Sequence, residues 1–228
     1  MSVRPTVAVV SFDVYSALVD SRRGLTAAFA ALAGRRGWRP DPHALAQDWD
    51  QRNKAAQRDC LQFRPYRELA RTATASLEAD LGLAGDPDAD TDFLLGTIGD
   101  WPTWPDVAEG VAAVAAVAAV ALLSNIDDDL LAATRLGARF DAAVTSAQAR
   151  AYKPRRALYD HARRLLGPTL VHVPASARDT RGALEAGLPV VRVRRPGHHV
   201  DPDGPQPAVE VDDLRAVPDA LSRAASYR

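Results

Sequence analysis

The chain has 228 residues, of which 47% are hydrophobic and 25% are charged, and these values are close to the averages of globular proteins. The composition therefore excludes collagen-like, disordered and coiled-coil proteins. Lys and Arg number 28 against 29 Asp and Glu, which gives a formal net charge of −1. Such a balance lacks the concentrated positive charge that nucleic acids and anionic membranes attract, so we expect neither as a partner.

Cysteine content and hydropathy indicate the compartment. The single cysteine, Cys60, excludes an intramolecular disulfide and a CxxC zinc site. The longest apolar run, from Val111 to Leu123, is shorter than the roughly 20 residues that span a bilayer. The N-terminal residues do not show the pattern of a signal peptide. We therefore expect a cytoplasmic protein.

The first elements are a strand and a helical block. Residues 6–12 form an apolar, β-branched run that ends at Asp13, as expected of a parallel strand buried on both faces. Three amphipathic patterns follow at residues 21–37, 43–57 and 66–82, and each predicts a helix. The stretch AGDPDADTD, residues 84–92, is rich in Gly, Asp and Pro and separates this helical block from the pattern that follows.

The rest of the chain alternates between strands and helices. Helices are predicted at 106–116, 127–136, 155–166 and 179–186, strands at 117–123, 142–145, 170–174 and 189–193, and a closing helix at 211–225. Repeated βαβ units predict an α/β fold with a doubly wound parallel sheet. We therefore expect an α/β core formed by residues 1–19 and 98–228, with residues 20–97 inserted after the first strand as a helical cap.

Polar side chains follow the predicted strands. They are Asp13, Ser124, Asn125, Lys153, Ser176 and Asp179. Because ligands bind outside the carboxyl ends of parallel strands, we expect these side chains to meet in a site between the sheet and the inserted helices. A lysine that keeps a carboxylate ionised is suited to covalent catalysis. A structural ion-pair network remains an alternative for the charged residues, and helix capping for Ser124 and Asn125.

Four segments that contain these residues resemble known motifs. SFDVYSALVD, LLSNIDDDL, AYKPRRALY and VHVPASARDTRGALEAGLP resemble, in order, the four motifs of the haloacid dehalogenase (HAD) superfamily. Tyr15, the LSN triplet and Tyr159, six residues after the motif lysine, resemble the L-2-haloacid dehalogenase branch. The resemblance covers nearly the whole chain.

The resemblance implies a mechanism without a cofactor. Asp13 would attack carbon 2 of a small carboxylate, displace a halide and form an aspartyl ester that water then hydrolyses. Lys153 would pair with Asp13, and Asp179 would hold Lys153 or the water. Ser124 and Asn125 would bind the substrate carboxylate or the leaving group. The small-molecule substrate is the expected partner, and homodimers are common among such proteins.

Further substrate-binding residues are implied by the same resemblance. Tyr15, Tyr159 and Ser176 would lie near the substrate. An arginine of the cap would hold the substrate carboxylate, because a guanidinium binds that group in bidentate fashion. Arg52 is preferred for this role, with Arg58 and Arg64 as alternatives.

Two motifs depart from the family pattern. Phosphatases of the superfamily place extra carboxylates in motifs one and four to hold Mg²⁺, but Tyr15 and Ala175 occupy those positions here, so no metal is expected. Ser16 and Ala17 replace a Gly-Thr pair, which predicts that Asp13 loses a hydroxyl contact. A Mg²⁺-dependent phosphatase, an epoxide-opening enzyme, and a repurposed or weakly active protein with a binding or biosynthetic role remain alternatives.

Two further patterns have structural interpretations. His172 lies within an apolar strand, which predicts a buried histidine with its hydrogen bonds satisfied. The arginines at 192, 194 and 195 predict a solvated strand end.

Overall fold

The computed structural model describes residues 7–226, which form two compact units. The α/β unit contains residues 7–19, 103–125 and 136–226, and the helical unit contains residues 20–102 and 126–135. The predicted core also includes residues 98–102 and 126–135, which belong to the helical unit in the structure. These residues contact the rest of the helical unit. The Trp101 ring packs directly against Gly24, where even an added Cβ would lie only 2.4 Å from the ring, and the backbone N–H of Tyr66 donates to Asp127.

Six strands lie within the described residues. They are β1 (Val9–Phe12), β2 (Ala119–Ser124), β3 (Ala142–Thr145), β4 (Leu170–Val173), β5 (Arg192–Val193) and β6 (Glu210–Val211). The main sheet has the order β3-β2-β1-β4 and is parallel throughout. The chain thus moves outward from β1 in both directions, which is the doubly wound pattern and confirms the predicted fold.

The interior position of β1 follows from its composition. Val10 and Phe12 are fully buried, and β1 pairs with β2 on one side and β4 on the other. A strand that is covered on both faces and paired on both edges is expected to be mainly apolar, and Ser11 is the one polar residue of β1. The charged side chain of Asp13 therefore comes directly after the strand.

The helices alternate with the strands in the α/β unit and are consecutive in the helical unit. They are α1 (Ser21–Arg36), α2 (Pro42–Asp59), α3 (Tyr66–Leu81), α4 (Pro87–Gly96), α5 (Val107–Ala115), α6 (Asp128–Ala133), α7 (Ser146–Ala149), α8 (Arg156–Leu166), α9 (Ala177–Glu185) and α10 (Val217–Ala225). Within residues 7–226, none of the helices combines the length and the apolarity that crossing a bilayer requires.

The last helical pattern before the α/β alternation ends at residue 82, but the structure has a further helix, α4, which begins within residues 84–92. The Asp86 side chain accepts hydrogen bonds from the N–H groups of Asp88 and Ala89, and Pro87 occupies the first turn. An Asp cap followed by Pro at the first helical position is a helix start signal. Capping therefore outweighs the turn-forming tendency of these residues.

The end of the predicted sheet also differs from the structure. Residues 189–193 were predicted as one strand, but only a bridge between Val190 and His172 joins this stretch to β4. Arg192 and Val193 instead form β5, which pairs with β6 in a separate two-stranded sheet. The partner β6 includes Val211, the first residue of the helix predicted at 211–225, and a strand of two residues is too short to show a periodic pattern.

Candidate active site

Elements at the carboxyl edge of the main sheet bring together three predicted residues. Asp13 directly follows β1, and its backbone N–H donates to the carbonyl oxygen of Val173 at 3.1 Å. Lys153 lies between α7 and α8, and Asp179 lies in the first turn of α9, after β4. The parallel strands thus deliver residues that are far apart in sequence to one place.

Lys153 lies between the two carboxylates. Its Nζ is 2.8 Å from Asp13 Oδ1 and 2.6 Å from Asp179 Oδ2. Burial disfavours an ammonium, but the two carboxylates outweigh burial and raise the pKa of Lys153. Burial likewise disfavours the charge on Asp179, yet Lys153 and His172 hold the pKa of this carboxyl below its ordinary value. Lys153 and Asp179 are therefore both charged near neutral pH.

The two carboxylates differ in exposure. The side chain of Asp13 is 13% exposed, whereas those of Lys153 and Asp179 are 3% and 4% exposed. A small molecule can therefore approach Asp13 more readily than Asp179. This difference makes Asp13 the candidate nucleophile and Asp179 a supporting residue.

A serine hydroxyl binds the second oxygen of Asp13. Ser16 Oγ donates to Asp13 Oδ2 at 2.5 Å. Residues Val14–Leu18 form a single π-helical turn with a kink at Tyr15, and in this turn the side chain three residues after Asp13 reaches the carboxylate. The prediction that Ala17 leaves Asp13 without a hydroxyl contact is therefore wrong, because Ser16 supplies one.

Two side chains that the sequence did not point to hold the same turn. The Nε and Nη2 atoms of Arg195 donate to the carbonyl oxygen of Ala17 at 3.1 and 2.8 Å, and Arg195 also pairs with Asp106 at 2.9 Å. Trp104 Nε1 donates to the carbonyl oxygen of Ser16 at 3.1 Å. The turn after Asp13 is thus held by donors from distant parts of the chain.

The prediction of a solvated arginine run is wrong for two of its three members. Arg192 and Arg195 are buried, and only Arg194 is exposed. Arg192 Nε donates to the carbonyl oxygen of Ala175 at 3.1 Å. Backbone carbonyl oxygens and two carboxylates, those of Glu210 and Asp106, satisfy these buried guanidinium groups, and a buried charge requires such partners.

Asp179 accepts hydrogen bonds from three buried groups. Besides Lys153, the Tyr159 hydroxyl donates to Oδ1 at 2.8 Å, and His172 Nε2 lies 3.1 Å from Oδ2. Burial, together with the charge of Asp179, raises the pKa of Tyr159 well above its usual value, so its hydroxyl remains protonated and donates. Tyr159, predicted near the substrate, is fully buried and supports Asp179.

His172 was predicted as a buried histidine, and it is fully buried. Its partner Asp179 connects it to the candidate site, which the sequence did not indicate. The seven-residue spacing between the two residues spans the end of β4 and the first turn of α9. Only this strand-to-helix turn brings the two side chains together.

Ser124 and Asn125, at the end of β2, play different roles. Ser124 is fully buried, and its hydroxyl has no hydrogen-bond partner among the described residues. The side chain of Asn125 binds the backbone of Lys153: Oδ1 accepts from the Lys153 N–H at 2.7 Å, and Nδ2 donates to the Lys153 carbonyl at 3.2 Å. Asn125 therefore fixes the position of the lysine.

Ser176 and Tyr15 lie close in the sequence to Asp179 and Asp13, respectively. Ser176 is the N-cap of α9, and its Oγ accepts from the backbone N–H of Asp179 at 3.4 Å. It helps to place the first turn of α9, as N-caps do. Tyr15 occupies the kink of the π-helical turn, with φ −90° and ψ 36°, and is partly exposed.

Arg52 is bound by carboxylates within the helical unit. Its guanidinium donates to Asp48 at 2.8 Å and to Asp80 and Ser76 at 2.5 Å, and the hydrogen bonds to Asp48 and Asp80 raise its pKa. The alternatives Arg58 and Arg64 pair with neighbouring acids on the surface of the same unit. The role of Arg52 in binding a substrate carboxylate stays a prediction.

The donor set at the sheet edge does not suit Mg²⁺. Within residues 7–226, no group of three His, Cys, Asp or Glu side chains is arranged to hold a metal ion. Mg²⁺ binds through carboxylates and water in octahedral geometry, but here the Lys153 ammonium occupies the space between Asp13 and Asp179. Tyr15 and Ala175 add no carboxylate.

Comparisons with solved structures give matches over nearly the whole chain. An L-2-haloacid dehalogenase from Xanthobacter autotrophicus, with chloropropionic acid covalently bound, has a TM-score of 0.81 at 23% identity and covers 95% of this chain and 98% of its own. A second L-2-haloacid dehalogenase has a TM-score of 0.79 at 26% identity, with 95% and 99% covered. A Bacillus subtilis protein described as a HAD hydrolase and bound to magnesium has a TM-score of 0.76 at 14% identity, with 95% and 99% covered.

Searches by sequence gave no match. No protein-family model matches the chain, and a search of curated proteins found no significant relative. The structural matches confirm the predicted fold and the resemblance to the HAD superfamily and its L-2-haloacid dehalogenases.

Proposed function

We propose that the chain, a member of the haloacid dehalogenase superfamily, is a hydrolase that uses Asp13 to displace a leaving group from carbon 2 of a small carboxylate. The proposal rests on how the Asp13 carboxylate is held. Lys153 holds one carboxylate oxygen and Ser16 holds the other, while the side chain keeps some exposure. A carboxylate fixed in this way is oriented for attack before the substrate arrives.

In the first half of the reaction, a carboxylate oxygen of Asp13 forms a bond to carbon 2 of the substrate. The bond from carbon 2 to the halogen breaks, and the halide leaves with the electron pair. Attack opposite to the leaving group inverts carbon 2 and joins the substrate to Asp13 as an ester. An epoxide would open by the same attack, with the oxygen remaining on the product.

In the second half, water adds to the ester carbonyl of Asp13. The 2-hydroxy acid leaves, the carboxylate is regenerated, and one proton is released. Esterification removes one of the two counter-charges of Lys153, but Asp179 remains ionised and bound to the ammonium. Lys153 therefore stays in place for the return of the carboxylate.

The unpaired hydroxyl of Ser124 is the proposed contact for the substrate carboxylate or the departing halide. A buried hydroxyl without a partner is unfavourable in the free protein, and an anion at the sheet edge would satisfy it. Asn125 acts through Lys153, whose backbone it binds. Tyr15, Ser176 and Arg52 remain proposals for further substrate contacts.

Two observations support this reaction over phosphate-ester hydrolysis. The Xanthobacter autotrophicus enzyme was solved with chloropropionic acid covalently bound, which is the type of intermediate proposed here. The Lys153 ammonium also lies between the two carboxylates that a metal-dependent phosphatase would need as ligands. No cofactor enters the proposed reaction.

The test compares two substrates and two variants. Purified protein is incubated with L-2-chloropropionate, and separately with p-nitrophenyl phosphate and Mg²⁺, while chloride and nitrophenol release are followed. We expect chloride release that is independent of metal, abolished in Asp13→Asn, and retained in Asp160→Asn, a matched exchange on α8 where Asp160 pairs with Arg156. Metal-dependent nitrophenol release would instead support the phosphatase, and silence with both substrates would support a repurposed protein.

A further inference from the structure

A short stretch near the end of the chain binds the backbone that leads into α9. This stretch, residues 192–195, consists of β5 and the two residues after it, and we call it the β5 segment. The backbone N–H of Val193 donates to the carbonyl oxygen of Pro174 at 3.0 Å, and Arg192 Nε donates to that of Ala175 at 3.1 Å. The β5 segment therefore holds the turn after β4, and α9, which follows this turn, carries one of the two candidate-site carboxylates in its first turn.

The same segment also binds the turn that carries the other carboxylate. Two nitrogens of Arg195 donate to the carbonyl oxygen of Ala17, which lies in the turn directly after Asp13. A lysine cannot reproduce this arrangement, because only the planar guanidinium offers two donors in a fixed fork. The β5 segment thus contacts the turns after β1 and β4 at once, although these turns are far apart in sequence.

A carboxylate fixes each of the two guanidinium groups. Arg192 pairs with Glu210 of β6, and Arg195 donates to Asp106 Oδ2 at 2.9 Å. Asp106 in turn accepts from the backbone N–H of Leu214 at 2.8 Å. The arginine side chains are only 4% and 6% exposed. Because buried charge-assisted hydrogen bonds are strong and directional, each arginine is a rigid connection to its turn.

The separation of the two turns determines whether the candidate site is assembled. Lys153 Nζ lies 2.8 Å from Asp13 and 2.6 Å from Asp179, so a relative shift of about 1 Å between the turns would break one of these contacts. We propose that Arg192 and Arg195 are positioning residues, which hold the two turns at the separation that Lys153 bridges and so keep Asp13 oriented for attack. This inference rests on the proposed function.

Conservative variants test the role by kinetics. Arg192→Lys and Arg195→Lys keep the positive charge but lose the planar fork of donors. For chloride release from L-2-chloropropionate, we expect each to lower kcat by about 10- to 100-fold with KM little changed, because both arginines are buried and already paired. The matched control is Arg194→Lys, an exposed member of the β5 segment that pairs with Asp212, which should keep wild-type kcat. Wild-type kcat in either folded variant of a buried arginine would overturn the proposal.

The double variant distinguishes a shared task from general damage. If Arg192 and Arg195 maintain one separation, the loss of either already releases it. The double Lys variant should then have a kcat only slightly below that of the worse single variant. Independent effects on kcat would multiply, and a loss in the double variant equal to the product of the single losses would overturn the proposal.

The chain contains only two lysines, which allows a test without turnover. The side chain of Lys54 is 51% exposed and that of Lys153 is 3% exposed. The folded protein is treated with acetic anhydride, and mass spectrometry locates the acetyl groups. We expect Lys54 to react in every variant and Lys153 to be protected in the wild type and in Arg194→Lys. In Arg192→Lys and Arg195→Lys, acetylation of Lys153 should be about tenfold faster. Equal protection in all variants would overturn the proposal.

A control variant separates loss of positioning from loss of overall stability. Ile98→Val removes a methylene group from a 1% exposed side chain of the helical unit and lowers stability, but it should leave Lys153 protected. If Lys153 reacts in Ile98→Val as it does in the arginine variants, its protection follows overall stability and the proposal is overturned. If one arginine variant fails to fold, the other decides, because each arginine holds one turn. If the wild type releases no halide from any 2-haloacid, the proposed function fails, and the acetylation of Lys153 alone decides whether the arginines hold the site together.

Discussion

A buried pair of carboxyl groups in the helical unit should make this protein less stable as the pH rises. Glu78, near the end of α3, is 5% exposed, and Asp90 of α4 is 2% exposed. Both carboxyl groups lie against Gly85: a Cβ added to this glycine would lie 2.6 Å from Glu78 Oε2 and 2.8 Å from Asp90 Oδ2. The two carboxyl groups are therefore close together. Arg36 binds Asp90 through Nε and Nη2 at 2.8 and 2.6 Å.

The consequence for Glu78 follows from its surroundings. Burial and the neighbouring charge of Asp90 raise the pKa of Glu78 from 4.5 to about 7. A carboxyl whose pKa is higher in the folded state binds its proton more tightly there. Its contribution to stability is therefore complete below pH 4.5 and is lost as the pH rises through about 7. The difference between the two pKa values corresponds to about 3 kcal/mol at pH 8.

Glu78→Gln removes the charge and keeps the shape and a hydrogen-bond donor. We expect the variant to be more stable than the wild type by up to about 3 kcal/mol at pH 8, and similar to it near pH 4.5. The assay is urea unfolding followed by tryptophan fluorescence, since Trp38, Trp49 and Trp101, three of the four tryptophans, lie in the helical unit.

The matched control is Glu68→Gln, an exposed glutamate that pairs with Arg64. Its free energy of unfolding should change by less than about 1 kcal/mol at either pH, because exposed ion pairs contribute little. If Glu78→Gln and the wild type unfold with the same free energy at pH 8, Glu78 is not held against Asp90 as described. The reasoning would then be refuted.

Three further predictions concern single contacts. Ser16→Ala removes the donor to Asp13 and should lower the rate of chloride release about tenfold; an unchanged rate would show that the hydroxyl does not orient the nucleophile. Asp127→Ala removes the carboxylate that accepts hydrogen bonds from the N–H groups of Tyr66 and Arg67 in the first turn of α3; it should lower the free energy of unfolding by about 1–2 kcal/mol, measured by urea unfolding, whereas no loss would mean that these hydrogen bonds are absent. Arg195→Lys cannot keep both hydrogen bonds to the Ala17 carbonyl oxygen and should lower the melting temperature by several degrees. An unchanged melting temperature would show that these hydrogen bonds do not hold the turn after Asp13.

The sequence was sufficient to predict the α/β core and the central ion pair. Asp13, Lys153 and Asp179 were predicted to meet because each follows a strand of a parallel sheet, and such strands all end at one edge. The helices of the insertion followed from their amphipathic patterns, except for α4, which begins at Asp86-Pro87 within the stretch rich in Gly, Asp and Pro. These features depend on local periodicity and on strand direction, and both can be read from a single chain.

The remaining contacts were decided by tertiary structure. Ser16 reaches Asp13 only because the residues after β1 form a π-helical turn, and this geometry is held in part by Arg195, which is 178 positions from Ala17 in the sequence. Ser11 faces His172 only because of the register between β1 and β4. Spacing along the chain does not encode such long-range contacts, because they arise when packing fixes which side chains share a buried space and must satisfy one another's hydrogen bonds.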